Sequence, residues 1–196
     1  REVVSLLVAC WQLGAVPAPV VELYRESELR QIVTAVQPAV VASVAEYRSF
    51  AHAELFDDLL GDVGVPAEKL LVDGERTGWT SWSALVASAP TASPRVSPTS
   101  PALLLFTSGT TSAPKVVVHT HRSLLAEARQ VTRLWRWTAA DVSHIATPLA
   151  HISGLVRGVL GPLQAGGAVR TRQRWDPELV ALDLAAGDVS FSGVPG

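Results

Sequence analysis

The segment Leu104-Leu105-Phe106-Thr107-Ser108-Gly109-Thr110-Thr111-Ser112-Ala113-Pro114-Lys115 reads as an apolar strand that opens directly into a hydroxyl-rich loop closed by a lysine. Such a loop suits a polyphosphate. Gly109 has no Cβ, so backbone amides there can approach an anion closely. The hydroxyls of Thr107, Ser108, Thr110 and Thr111 can donate to phosphate oxygens, and Lys115 adds a compact positive charge. A Walker A loop is excluded, because that pattern needs Gly-Lys followed by Ser or Thr, and Pro114-Lys115-Val116 stands in those places. Composition alone would equally allow an ordinary Ser/Thr-rich surface turn. The flanking sequence has to decide.

Downstream of the loop the pattern predicts a strand over Lys115–His119, a helix from Arg122 to Leu134, a strand over Val142–Thr147 and a helix after His151. A strand over Ala168–Thr171, a helix over Pro177–Ala186 and a strand over Val189–Ser192 follow. Upstream, Val3, Val4, Leu7, Cys10 and Trp11 recur at helical spacing from Glu2 to Leu13, and Gly14 stands where a left-handed cap belongs. An extended run over Ala15–Val20 comes next, then a helix that starts at Glu26 and Glu28 and stops before Pro38. A buried strand is predicted over Ala39–Ser43, a helix over Tyr47–Leu60, a strand over Lys69–Val72 and a short helix over Ser81–Ala87. The four prolines from Ser88 to Pro101 mark a linker that lies over a surface or between subdomains. Apolar strands alternating with amphipathic helices imply an α/β fold, a mostly parallel sheet with helices on both faces. Ligands in such folds gather at the carboxyl ends of the strands.

Of the 196 residues 48% are hydrophobic, enough for one substantial core and a smaller subdomain. Sixteen Lys and Arg against eighteen Asp and Glu give a formal charge of −2, which supplies no broad footprint for nucleic acid or an anionic membrane. The lone Cys10 sits in an apolar helical pattern and reads as a small buried thiol. No metal site is expected, since the five histidines lack carboxylate or thiol neighbours at ligand spacing. His119 and His121, two apart, would share one face of a strand, and His144 reads as a structural strand residue. The six tryptophans read as packing residues. There is neither an apolar stretch long enough to span a bilayer nor a signal-peptide pattern, so a cytoplasmic location is expected. The chain opens at Arg1, contains no methionine and stops at Gly196, and it reads as an internal segment of something longer.

The loop closely resembles the signature of the adenylate-forming (AMP-binding) superfamily, Thr-Ser-Gly-Thr-Thr-Gly-x-Pro-Lys-Gly. Ser112 replaces the second glycine and Val116 the third. The similarity continues along the chain through Trp11–Pro19, Ser27–Leu29 and Val118–Leu125. It goes on through Pro148-Leu149-Ala150-His151-Ile152-Ser153-Gly154-Leu155, Trp175–Glu178 and Gly193–Pro195. The resemblance implies the large N-terminal AMP-binding domain of an acyl- or aryl-CoA synthetase, residues 1–196 being an internal piece of it, subdivided near 88–101. It implies ATP with Mg2+, coenzyme A and a small-molecule carboxylate, with a place in fatty-acid metabolism. Thr107, Ser108, Gly109, Thr110, Thr111 and Lys115 would cradle the β- and γ-phosphates of ATP, and His151 would line the carboxylate's pocket. The adenine-binding segment, ribose-binding aspartate, hinge and C-terminal domain with its catalytic lysine are absent from these residues. No catalytic residue is therefore assigned within them, and the chain alone is expected to be inactive. Three alternatives remain: a non-catalytic nucleotide-binding remnant, favoured by Ser112 and Val116, a peptide-synthetase adenylation domain, and a kinase-like enzyme with an unrelated phosphate loop.

Overall fold

The computed structural model describes residues 1–107, 115–144, 147–172 and 176–192. Its elements begin with α1 (Glu2–Leu13), α2 (Glu26–Val36), β1 (Val40–Ser43), α3 (His52–Val63), β2 (Glu68–Leu71), β3 (Thr80–Ser81) and α4 (Trp82–Ala87). They continue with β4 (Pro101–Thr107), β5 (Lys115–Thr120), α5 (His121–Trp135) and β6 (Val142–His144). After these come α6 (Ile152–Leu155), a π-helical turn (Val156–Leu160), α7 (Gly161–Gln164), β7 (Ala168–Arg170), α8 (Pro177–Ala185) and β8 (Phe191–Ser192). The chain divides into two compact units. One comprises Arg1–Val21, Ser93–Phe106 and Val116–Gly196, and the other Glu22–Ala92 with Thr107–Lys115.

In the second unit β1, β2 and β3 form a parallel sheet in that order, with Val40 opposite Glu68 and Ser43 opposite Leu71. Leu29, Ile32 and Val33 of α2 and Ala53, Phe56, Leu59 and Leu60 of α3 are buried, the spacing of one apolar helical stripe in each case. The entry to α2 is capped by Glu28, whose carboxylate accepts from the backbone N–H of Arg25 at 3.2 Å. Two expectations need correction. β1 is not wholly buried: Val41 is, but Val40 is 57% exposed, because successive side chains leave a strand by opposite faces. The helix read from Tyr47 begins at His52. Tyr47 and Phe50 instead exchange two backbone hydrogen bonds, 3.0 and 3.1 Å, around Arg48 and Ser49 at φ 51° and 58°, a geometry no right-handed helix contains.

Asp57 of α3 is the polar hub of this unit, accepting from Lys69 Nζ, Arg76 Nε and Trp79 Nε1. Burial pushes its carboxyl up, and the three hydrogen bonds outweigh that and hold it below the usual carboxylate value. A depressed folded value means the stabilisation is complete above the ordinary aspartate pKa and disappears as pH falls through the folded one. Asp57→Asn is expected to cost about 1–2 kcal/mol at neutral pH, and that difference should shrink in acid once the pH falls below the folded value. Urea denaturation of both proteins at neutral and at acid pH checks it; a difference unchanged by pH would rule out the ionic account.

In the first unit Leu7 of α1, with Val4 and Trp11 beside it, packs in one cluster with Ala102, Leu103 and Leu105 of β4, Leu124 of α5, Leu155 of α6 and Val159 of the π-helical turn. Burying a leucine such as Leu7 contributes about 2 kcal/mol. Trp11 Nε1 donates to the Ala102 carbonyl at 2.7 Å and ties helix to strand. Gly14 closes α1 at φ 72°, and the extended run beyond it forms no strand but offers the Pro17 carbonyl to Leu104 N–H at 2.9 Å. Cys10, expected buried, is half-buried, and burial raises its thiol pKa.

β6 is the middle strand of a parallel sheet, order β7-β6-β8, and β4 with β5 make a separate two-stranded sheet. The α/β expectation holds, with parallel pairing distributed over two small sheets. β6 ends at His144, short of the expected Thr147, and residues 145–146 lie outside the described ones. His144 is buried, its Nδ1 3.2 Å from Ser192 Oγ; burial first, then Arg172, lowers its pKa. His119 ends up on β5 and His121 begins α5, so the two do not share a strand. Trp135, Trp137 and Phe191 form an aromatic cluster with centroid separations of 5.1 to 6.1 Å, in keeping with a packing role.

Candidate functional site

Ala102, Leu103 and Leu105 fix β4 in the core, and the strand delivers Thr107 to an exposed position at its carboxyl end. β5, its hydrogen-bonded neighbour, starts at Lys115, also exposed. These two residues flank the hydroxyl-rich sequence 108–114. Ser108, Gly109, Thr110 and Thr111, with Ser112 to Pro114, lie outside the described residues. At the far end of β5, Thr120 Oγ1 accepts from Ser123 N–H at 3.1 Å while Ser123 Oγ accepts from Thr120 N–H at 3.0 Å. This reciprocal cap starts α5 and fixes where the strand stops.

His151, the other expected site residue, caps α6. Its backbone N–H donates to the Pro148 carbonyl at 3.0 Å, closing a turn. Its Nδ1 lies 3.2 Å from the Ser153 N–H and 2.6 Å from Ser153 Oγ. Because a backbone amide only donates, Nδ1 must accept, and in the neutral ring the proton sits on Nε2. The exposed imidazole therefore presents Nε2–H as a donor, which suits an anionic oxygen. Gly154 makes this turn possible: a Cβ there would stand 2.2 Å from the Pro148 carbonyl oxygen and 2.6 Å from that of Thr147.

The roles of Ser153 and Gly154 were not assigned from sequence. The His-x-Ser spacing at a helix start was the available signal for Ser153, as a local cap. Nothing in a bare sequence reports how closely Gly154 approaches two carbonyls. Among the described residues no group of three or more His, Cys, Asp or Glu is placed to hold a metal ion. The loop's donor set of hydroxyls and one ammonium suits phosphate oxygens and does not fit a protein-held Mg2+. No helix among them is long and apolar enough to cross a membrane.

A buried strand ends at Thr107, where the hydroxyl-rich sequence closed by Lys115 begins. The chain belongs to the AMP-binding enzyme family, whose model matches residues 1–195. It is 32% identical to indoleacetate–CoA ligase of Aromatoleum aromaticum over 90% of the chain and 34% of that protein. To the human mitochondrial malonate–CoA ligase it is 30% identical over 88% of the chain and 28% of that protein. The crystal structure of ATP-bound MatB from Rhodopseudomonas palustris superimposes with a TM-score of 0.78 at 25% identity, covering 94% of this chain and 35% of that one. The chain thus spans about a third of the length of the curated relatives it matches.

Proposed function

We propose that the protein carrying these residues is an AMP-forming acid–thiol ligase that joins a small carboxylic acid to coenzyme A at the expense of ATP. The supporting observation is the family match along the whole chain, with Thr107 and Lys115 exposed on either side of the signature loop. In the reaction a carboxylate oxygen attacks the α-phosphorus of ATP, forming an acyl-adenylate and expelling pyrophosphate. The thiol of coenzyme A, giving up its proton, then attacks the acyl carbon, and AMP leaves. Lys115 and the hydroxyls of Thr107, Ser108, Thr110 and Thr111, with the backbone at Gly109, would neutralise charge on the departing pyrophosphate. His151 would donate from Nε2 to the bound acid. Mg2+ would arrive on the triphosphate rather than in a protein cage, and the work would be done in the cytoplasm, on fatty or related acids. ATP and a CoA-linked acid are what the names of the relatives and of the solved structure carry.

Acid-dependent ATP–pyrophosphate exchange by the full-length polypeptide is the expected result, and these 196 residues by themselves should show none. Nucleotide binding without exchange by the full-length protein would replace the ligase reading with that of a non-catalytic binder. Ser112 and Val116, which stand where the family signature has glycine, are the residues that favour this second reading.

A further inference from the structure

The helix that starts at His151 has one outward face, and that face carries a cation. Leu155, Val156 and Val159 are buried to 2% exposure or less and Gly154 and Gly158 are buried, whereas Ser153 is half-buried and Arg157 is exposed. Ser153 and Arg157 are four apart, so their side chains leave one above the other, about 6 Å along the axis. The His151 ring is itself held on Ser153 Oγ. Imidazole and guanidinium therefore line the same face, one turn apart. Arg157 belongs to the π-helical turn, a feature rare in regular helices and concentrated at functional sites. Its guanidinium lies over the Trp135 ring, 5.4 Å from the centroid, which restrains it, and among the described residues no carboxylate pairs with it.

We propose that Arg157 is a specificity-determining residue that binds a second anionic group at the distal end of the acid, so that the protein prefers dicarboxylates, or acids with another terminal anion, to plain monocarboxylates. The assignment rests on the ligase reading, with His151 at the reacting end. A planar guanidinium held against an aromatic face presents paired donors that match a carboxylate, and a pocket that pairs this charge discriminates strongly against an acid that leaves it unpaired.

The test is pyrophosphate release by the full-length polypeptide with succinate, glutarate and adipate, each against the monocarboxylate of equal carbon number. The best diacid should exceed its monoacid partner about tenfold or more in kcat/KM. Arg157→Gln should remove that advantage, mainly through KM, while leaving the monoacid within about twofold; Arg157→Lys should keep part of it. Equal effects of Arg157→Gln on both acids, or a fall in melting temperature without a change in preference, would show a carboxylate of the protein itself as the partner and overturn the proposal. A wild-type preference for monoacids overturns it too, while leaving the ligase reading intact. No release with any acid defeats that reading and this inference together.

Discussion

Gly154→Ala is expected to unfold the turn that carries His151, at a cost on the order of 3 kcal/mol or more. The added methyl would lie 2.2 Å from the Pro148 carbonyl oxygen, 2.6 Å from the Thr147 oxygen and 2.8 Å from the Pro148 carbonyl carbon, all backbone. A clash with a flexible side chain is relieved by a rotamer change, but here relief requires moving the chain. The Pro148 carbonyl also accepts the His151 N–H, so any shift that accommodates the methyl displaces the imidazole. Leu155, fully buried and next in sequence, resists the compensating movement of the helix. Urea denaturation gives the cost directly; a change below about 1 kcal/mol would mean the close approach is absent in solution.

Lys115→Ala is expected to weaken ATP binding by about one to two orders of magnitude while leaving the melting temperature nearly unchanged. The side chain is exposed and supports no packing, so nothing structural should be lost with it. What disappears is the cation beside a dense anion, and that term should fade as ionic strength rises. Isothermal titration with ATP at low and high salt separates the two contributions. Unchanged affinity at low salt would defeat the phosphate role of the loop, and with it the strongest element of the proposed mechanism.

Which parts of the fold were legible depends on what each element advertises. α1 and α2 were readable because each combines an apolar stripe with a stop signal, Gly14 after α1 and Pro38 after α2, whereas α5 was read from its pattern alone and starts at His121, where the Thr120–Ser123 exchange caps it. The start of α3 was not readable, since Arg48 and Ser49 take positive φ where glycine or asparagine would have announced a turn. The π-helical turn escaped as well, because the buried pattern around Val156 and Val159 fits an α-helix equally well. At the site, the loop's residue types pointed to a phosphate and its order to a family, and that family is confirmed for residues 1–195. The orientation of His151 through Ser153 depends on a turn closed by two carbonyls, and no residue type encodes that.

The wide turn at Val156–Leu160 is held between two fixed points. On one side Gly154 is pressed against Pro148; on the other a Cβ at Gly161 would stand 2.0 Å from the Trp137 ring, and the Gly161 carbonyl accepts from Thr132 Oγ1 at 3.0 Å. A π turn amounts to one residue inserted into an α-helix without displacing either end. One residue gained or lost between these anchors would therefore turn Arg157 about the helix axis while Ser153 and Gly161 stay where they are.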